Sequence, residues 1–439
     1  MSCGKVLRRL GNAAPNWTEY IVVLIQSLEK CSMEFPALKK YGLEEYPYIC
    51  AQCSYCQIGH GACPTYKVKR VDSYSGRGKM LLARGLIQGR ISATDGLEGL
   101  KDAIFGCTLC GGCEEICQTD IPFVKIYQIL RGEFMKRGMW PEAMNMAKET
   151  LLKSCNIQGQ SQMDRIEGWS YWTPNEDELI DRQSKPAETA FFFGCSSSYR
   201  GVSIQATIAT TLIMDKIGED YTVLGEEEYC CGAPLIMTGD FEGARTLAEH
   251  NIEKYKELGV KRIITNCPGC YKMWAHEYKE FLNIDHGFEI VYGYSYLREL
   301  IQQGKIKFTK PLNIKLTYHD GCDAGRNSGF YNEPRDVIAA LPGIEFEELP
   351  HNRDNCYCCG SGGVLRAFDN QFASDIGKLK AEDIERTQAD VVASGCPSCV
   401  EYMKDQLPQS GCNKTVKDLA VLVAEAMGLT WDGLDEIYE

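Results

Sequence analysis

The strongest constraint on this chain is a five-cysteine pattern that occurs twice. The first copy is Cys195, the adjacent pair Cys230-Cys231, and Cys267 with Cys270. The second is Cys322, the pair Cys358-Cys359, and Cys396 with Cys399. The intervals nearly match, with 34 then 35 intervening residues in the first copy and 35 then 36 in the second. Corresponding cysteines lie 127 to 129 positions apart, which marks an internal duplication. Adjacent cysteines followed by glycines, as in the stretch Asn355 to Gly363, make a poor packing unit and a good metal cradle. Thiolates bind soft metals, and glycines let a backbone approach a cluster closely. Each copy is therefore read as a metal site on which five thiols converge, one more than a zinc or cubane site needs.

The remaining cysteine usage agrees with metal rather than disulfides. The chain has 439 residues, enough for a substantial core without covalent staples, yet carries 23 cysteines. They sit in Cys-x2-Cys groups and adjacent pairs. The longest aliphatic run near the start, Ile21 to Ile25, is too short for a signal core or a membrane span, and no long apolar stretch follows. A cytoplasmic protein is expected, where clustered cysteines mean metal more often than disulfides. The formal net charge of −13 and the lack of a basic block argue against nucleic acid as a partner. Any membrane association is expected to run through another subunit.

Ahead of the duplication lies a second cysteine constellation. Cys50, Cys53 and Cys56 are spaced by two residues, and Cys63 follows with Pro64-Thr65-Tyr66. Cys107, Cys110, Cys113 and Cys117 repeat the spacing of a ferredoxin-type [4Fe–4S] site. In two-cluster proteins the fourth cysteine of each run reaches the other cluster. On that logic Cys50, Cys53, Cys56 and Cys117 hold one cubane, and Cys107, Cys110, Cys113 and Cys63 the other. A pair of structural zinc sites is the alternative, but cysteine triples suit zinc poorly. Six residues rather than three separate Cys56 from Cys63, and Gln118 stands where a proline is usual. His60, inside that longer loop, is an alternative ligand to Cys63. Ser75 to Arg84 starts a helix; it lacks a preceding strand and a Gly-Lys-Ser/Thr ending, so no nucleotide is assigned.

From about residue 188 the pattern becomes α/β. Short apolar runs, Thr189 to Gly194, Arg262 to Asn266, Ile314 to Gly321 and Val391 to Gly395, each lead into a cysteine of the duplicated pattern. Helical stretches such as Phe241 to Leu258 and Asp369 to Thr387 separate them. This alternation predicts mainly parallel sheets, with ligands beyond the carboxyl ends of the strands. Each copy should gather its thiols at one sheet edge, and paired packing would bring the two edges together.

At these residues the chain resembles the heterodisulfide reductase catalytic subunit family. The resemblance is carried by His319-Asp320-Gly321-Cys322, Asn332-Glu333-Pro334-Arg335, Cys358 to Gly363 and Gly395-Cys396-Pro397-Ser398-Cys399. With the ferredoxin-like part in front, it looks like the fused D-type subunit. The wider family includes iron–sulfur subunits of glycolate, lactate and glycerol-3-phosphate oxidising systems. The expected fold is α+β and multidomain: a helical ferredoxin-like two-cluster domain followed by two pseudo-twofold-related α/β (Rossmann-like) CCG domains. The expected boundaries are a helical extension over 1–46, the two-cluster domain over 47–150, a linker or wrapping segment over 151–187, and CCG domains over 188–305 and 306–439. The resemblance implies that each CCG motif binds a noncubane [4Fe–4S] cluster through all five cysteines. One cluster takes Cys195, Cys230, Cys231, Cys267 and Cys270; the other takes Cys322, Cys358, Cys359, Cys396 and Cys399. These ten cysteines are then also the catalytic set.

Disulfide cleavage needs two electrons, whereas iron–sulfur clusters pass one at a time. Two special clusters facing one substrate, fed by two cubanes, resolve that mismatch. The expected activity is disulfide reduction or thiol oxidation inside a larger redox complex. The alternative is an electron-transfer subunit with no substrate of its own; a zinc-stabilised interaction protein is a third reading. With no flavin or nucleotide motif, electrons must arrive through a partner: a flavoprotein, an electron-transfer flavoprotein or a membrane cytochrome. Arg326, Arg335, Lys272 and Tyr271 are candidates for contacting a substrate's anionic groups. His319 is a candidate hydrogen-bond donor to a cluster, and Cys356 is an extra cysteine read as idle.

Overall fold

A computed structural model describes residues 36–50, 53, 55–58, 63–91 and 97–434. Most of the expected N-terminal extension, with Cys3 and Cys31, lies outside the described residues, and so does His60. Among the described residues, 36–154 contain helices and turns but no strand. Gly76–Ile87 is a helix because Ser75 accepts the Gly78 N–H and a run of good helix formers follows. Phe123–Lys136 runs through the middle of this part, and its residues Phe123 to Phe134 are almost all buried.

Two parallel four-stranded sheets follow. The first contains β1 (Thr189–Phe191), β2 (Tyr221–Thr222), β3 (Arg262–Thr265) and β4 (Glu289–Tyr292), in the order β2-β1-β3-β4. The second contains β5 (Ile314–His319), β6 (Ile344–Phe346), β7 (Val391–Ser394) and β8 (Thr415–Asp418), in the order β6-β5-β7-β8. Strand for strand, the two orders are the same. The register repeats as well: Phe191 pairs with Ile264 as Tyr318 pairs with Ala393. The helices repeat with the strands. Phe241–Glu257 and Asn370–Glu385 each begin at an aspartate, Asp240 or Asp369, whose carboxylate accepts a first-turn N–H. Such a cap contributes about 1 kcal/mol.

The helix Gly201–Lys216 joins the two sheets. It is buried on every face from Val202 to Met214, as a helix inside a core must be. Its hydroxyls are satisfied locally or across the junction: Thr210 Oγ1 donates to Ala206 O at 2.8 Å, and Ser203 Oγ to Pro397 O at 2.8 Å. Phe191, Ile208, Leu316, Tyr318 and the helix Leu419–Ala426 share one apolar core with it. The segment 155–187 wraps this core rather than tethering it: Trp169 and Leu179 are fully buried, and Arg165 pairs with Glu228 at 2.7 Å. No helix among the described residues is long and apolar enough to cross a membrane.

Candidate metal centres and the cavity between them

Parallel strands end at the same side of a sheet, and the turns after β1, β3, β5 and β7 carry Cys195, Cys267, Cys322 and Cys396. The chain then returns each adjacent pair to that same edge. In the first copy the thiols touch in the order Cys195, Cys230, Cys231, Cys270, Cys267. In the second the order is Cys322, Cys358, Cys359, Cys399, Cys396, with 3.4 Å between the sulfurs of Cys359 and Cys399. The order is identical in both. Gly232 and Gly360, each following a pair, have φ of 84° and 106°. That backbone turns each N–H back onto the first sulfur of its pair: Gly232 N to Cys230 Sγ and Gly360 N to Cys358 Sγ, both at 3.4 Å. Only glycine adopts this conformation without a steric penalty.

Nine of the ten cysteines line a single cavity of about 260 Å³ between the copies; the tenth, Cys358, lies against Cys322 and Cys359. Thiolates packed this closely without a cation are poor neighbours, so most of these thiols hold their protons. Cys195, Cys270, Cys322, Cys359 and Cys399 are pushed well up, first by donating to an adjacent thiol and then by burial. Cys231, which accepts from Cys230 and Cys270, is pulled down to about 6, and Cys358 is lowered for the same reason. The donor set fits an iron–sulfur cluster: five soft ligands at one edge, backbone N–H groups on sulfur, and no room for a side chain at the edge. A Cβ on Gly194 would lie 2.8 Å from Cys270 Sγ.

The N-terminal cysteines form two further groups. Cys63, Cys107, Cys110 and Cys113 line a small cavity together. Cys50 is pushed up to about 12 by burial and by the neighbouring Cys56, Cys117 and Cys53. Cys63, whose N–H reaches Cys56 O at 3.3 Å, stands on the side of the Cys107 group. The groups adjoin at Gly76, where a Cβ would meet Cys113 Cβ at 2.8 Å and the sulfurs of Cys113 and Cys56 at 3.5 Å. Arg77 N, at the start of its helix, donates to Cys56 Sγ at 3.3 Å. Cys53 is the exposed member of the set. The Cys107 group abuts the second five-cysteine copy: the carbonyls of Thr108 and Cys107 leave no room for a Cβ on Gly362 or Gly363.

The charged candidates require correction. Arg335 is clamped between Asp320 and Glu348, and Lys272 between Glu277 and Asp323. Arg326 donates to the carbonyls of Cys110, Cys356 and Asp354, and the Tyr271 ring packs on Phe330. None of the four lines the cavity; Arg200 and Arg366 do, sharing Glu401. Sequence alone gives no signal for these two, since lone arginines near helix ends read as solvated. Arg131 is the other omission. It is fully buried and donates to the carbonyls of Ile104, Phe105, Cys107, Met237 and Gly363, joining the N-terminal part to both copies. Cys356 is buried, with its sulfur 3.5 Å from His319 Nδ1 and 3.4 Å from Lys380 Nζ.

The comparisons agree with this layout. Residues 47–121 match the 4Fe-4S dicluster domain, and residues 189–274 and 316–404 each match the cysteine-rich domain known as CCG. The chain is 32% identical to the D-type subunit of the dihydromethanophenazine:CoB–CoM heterodisulfide reductase of Methanosarcina barkeri, over 87% of this chain and 94% of that protein. Its counterpart in Methanosarcina mazei is 34% identical over 76% and 80%. The EtfAB:quinone oxidoreductase of Syntrophomonas wolfei is 28% identical over 74% of this chain and 47% of its own. By its three matched domains and its near full-length similarity, the chain belongs to the D-type heterodisulfide reductase family of iron–sulfur oxidoreductase subunits.

Proposed function

We propose that this chain is the subunit at which a disulfide is reduced, or two thiols are oxidised, within a multi-subunit redox complex. The observation that carries this reading is the cavity of about 260 Å³ lined by cysteines of both copies together with Arg200 and Arg366. Two noncubane [4Fe–4S] clusters would be held by Cys195, Cys230, Cys231, Cys267 and Cys270, and by Cys322, Cys358, Cys359, Cys396 and Cys399. Two cubane clusters would be held by Cys50, Cys53, Cys56 and Cys117, and by Cys63, Cys107, Cys110 and Cys113. Such clusters supply single electrons at potentials tuned by their surroundings. The balanced change is RSSR + 2e⁻ + 2H⁺ to 2 RSH. Arg200 and Arg366 orient anionic substituents of the disulfide, with Glu401 holding both guanidinium groups in place. The exposed Cys53 marks the edge at which a partner flavoprotein or cytochrome delivers electrons.

Iron and sulfide analysis of anaerobically purified protein tests the ligand sets: four four-iron clusters predict about 16 iron per chain. Addition of a small anionic disulfide to the reduced protein then tests the substrate. Its reoxidation, with spectral change at the five-cysteine sites, supports the reading. The second reading, a subunit that only transfers electrons, is favoured by the similarity to the EtfAB:quinone oxidoreductase. It wins if all four clusters are present, no thiol or disulfide perturbs them, and a partner flavoprotein reduces them rapidly.

A further inference from the structure

The two five-cysteine sites are copies in sequence but not in surroundings. Three positions before the first cysteine of each copy stand Phe192 and His319. Phe192 is fully buried and packs edge-on against Trp274 with 5.6 Å between ring centres. His319 is equally buried, but one of its ring nitrogens lies within 4.8 Å of the sulfurs of Cys359 and Cys399. Its Nδ1 faces Cys356, and its Nε2 meets no hydrogen-bond partner among the described residues.

The contrast continues around each site. Two positions before the adjacent pair stand Glu228 and Cys356. Glu228 is closed off by Arg165 at 2.7 Å and by the N–H groups of Phe193 and Gly194 at 3.0 and 2.9 Å. Eleven residues beyond the capping aspartates Asp240 and Asp369 stand Asn251 and Lys380. Asn251 is spent on the main chain of Tyr229. Lys380 turns its ammonium to Cys356 Sγ at 3.4 Å, while its partner Asp383, at 3.3 Å, is also held by His351. Arg326 adds a guanidinium that donates to carbonyls and has no carboxylate partner among the described residues. The first site therefore faces an aromatic ring, a neutral amide and the Arg165–Glu228 pair, whose carboxylate offsets the guanidinium that also reaches Cys195. The second faces an imidazole, the buried ammonium of Lys380 and the half-buried guanidinium of Arg326.

A thiolate-bound cluster gains negative charge on reduction. A cation or N–H donor held beside it in a low-dielectric interior stabilises the reduced form and raises the potential. We propose that the site of Cys322, Cys358, Cys359, Cys396 and Cys399 is the more easily reduced of the two, and that His319, Arg326 and Lys380 make it so. The inference rests on the reading that both sites carry clusters. Its consequence is an order of filling: the first electron delivered to the pair lodges at the second site.

The test is a potentiometric titration of the anaerobically purified full chain, followed by electron paramagnetic resonance and visible absorbance. Residues are exchanged between the copies. Of the two one-electron waves that the spectra assign to the five-cysteine sites, apart from those of the cubanes, Lys380→Asn and His319→Phe should each lower the higher and leave the lower in place. Phe192→His should raise the lower wave. Coincident waves in the native chain, equal shifts of both waves, a shift of the lower wave in Lys380→Asn, or no shift at full iron content would each overturn the proposal. Iron analysis of the same samples separates the two levels: a chain one cluster short fails the ligand assignment instead. If His319→Phe does not fold, Lys380→Asn and Phe192→His decide the question.

Discussion

Arg131 predicts its own phenotype. Its guanidinium makes six hydrogen bonds to five carbonyls: Ile104 twice, at 3.1 and 3.0 Å, Phe105 at 3.1 Å, Cys107 at 2.8 Å, Met237 at 2.8 Å and Gly363 at 3.0 Å. Burial pulls its pKa down to about 10, so it stays charged at neutral pH. Six charge-assisted bonds at ~1.5–3 kcal/mol each exceed the several kcal/mol that desolvating the cation takes back. Removing one partner of such a buried arrangement costs ~3–5 kcal/mol. Arg131→Met is therefore expected to weaken the junction by about 4 kcal/mol. At ~1.4 kcal/mol per tenfold, local opening becomes almost a thousand times more frequent. Hydrogen exchange on the iron-loaded full chain measures this. Amides over residues 104–108, 237–240 and 361–364 should accelerate together, because one side chain ties all three segments. Arg131→Lys, with three donors in place of five, should fall between the two. Exchange within tenfold of the native chain, or acceleration confined to one segment, would refute the tri-partite staple.

Other outcomes follow from named contacts. Gly194→Ala places a methyl 2.8 Å from Cys270 Sγ and at a φ of 75°, so metal analysis should find about four iron fewer per chain, with the other sites intact. Val364 occupies the left-handed region at φ 62° beside the cavity, so Val364→Gly should raise the melting temperature; strain there is worth ~1–2 kcal/mol. Asp418, buried and bonded to Tyr294 and Ala420, has its carboxyl pushed up to about 7 by burial. Its folded-state pKa is thus above the unfolded value, so the folded state holds the proton longer, and stability falls as pH rises from about 4 toward 7. Asp418→Asn should flatten that part of the melting-temperature profile; an unchanged slope would exclude Asp418 as its source.

Much of the fold was legible because metal ligation leaves marks in one dimension. A thiol count, a Cys-x2-Cys interval and a 127–129 residue repeat survive any packing detail. The four apolar runs that lead into cysteines became β1, β3, β5 and β7 because a central parallel strand is buried on both faces and must be apolar along its length. The charged positions were not legible. Arg326, Arg335 and Lys272 looked like solvated cations available to a ligand, yet each is satisfied by partners that the fold brings together from across the chain. Arg131 and Arg165 carried no signal at all, because burial of a guanidinium depends on carbonyls and carboxylates supplied by other elements.

By itself the sequence determined that five thiols would meet twice, after strands, in a duplicated α/β scaffold behind a two-cluster module. The shared cavity was an expectation of paired packing; tertiary structure alone decided what else lines it, that the Cys107 group abuts the second set, and that His319, Lys380 and Arg326 surround that set while Phe192, Asn251 and the Glu228–Arg165 pair surround the first. The physical reason is range. Ligand spacing is a local property of the chain, whereas the field at a buried site sums over side chains from several elements, and their distances exist only once the chain has folded.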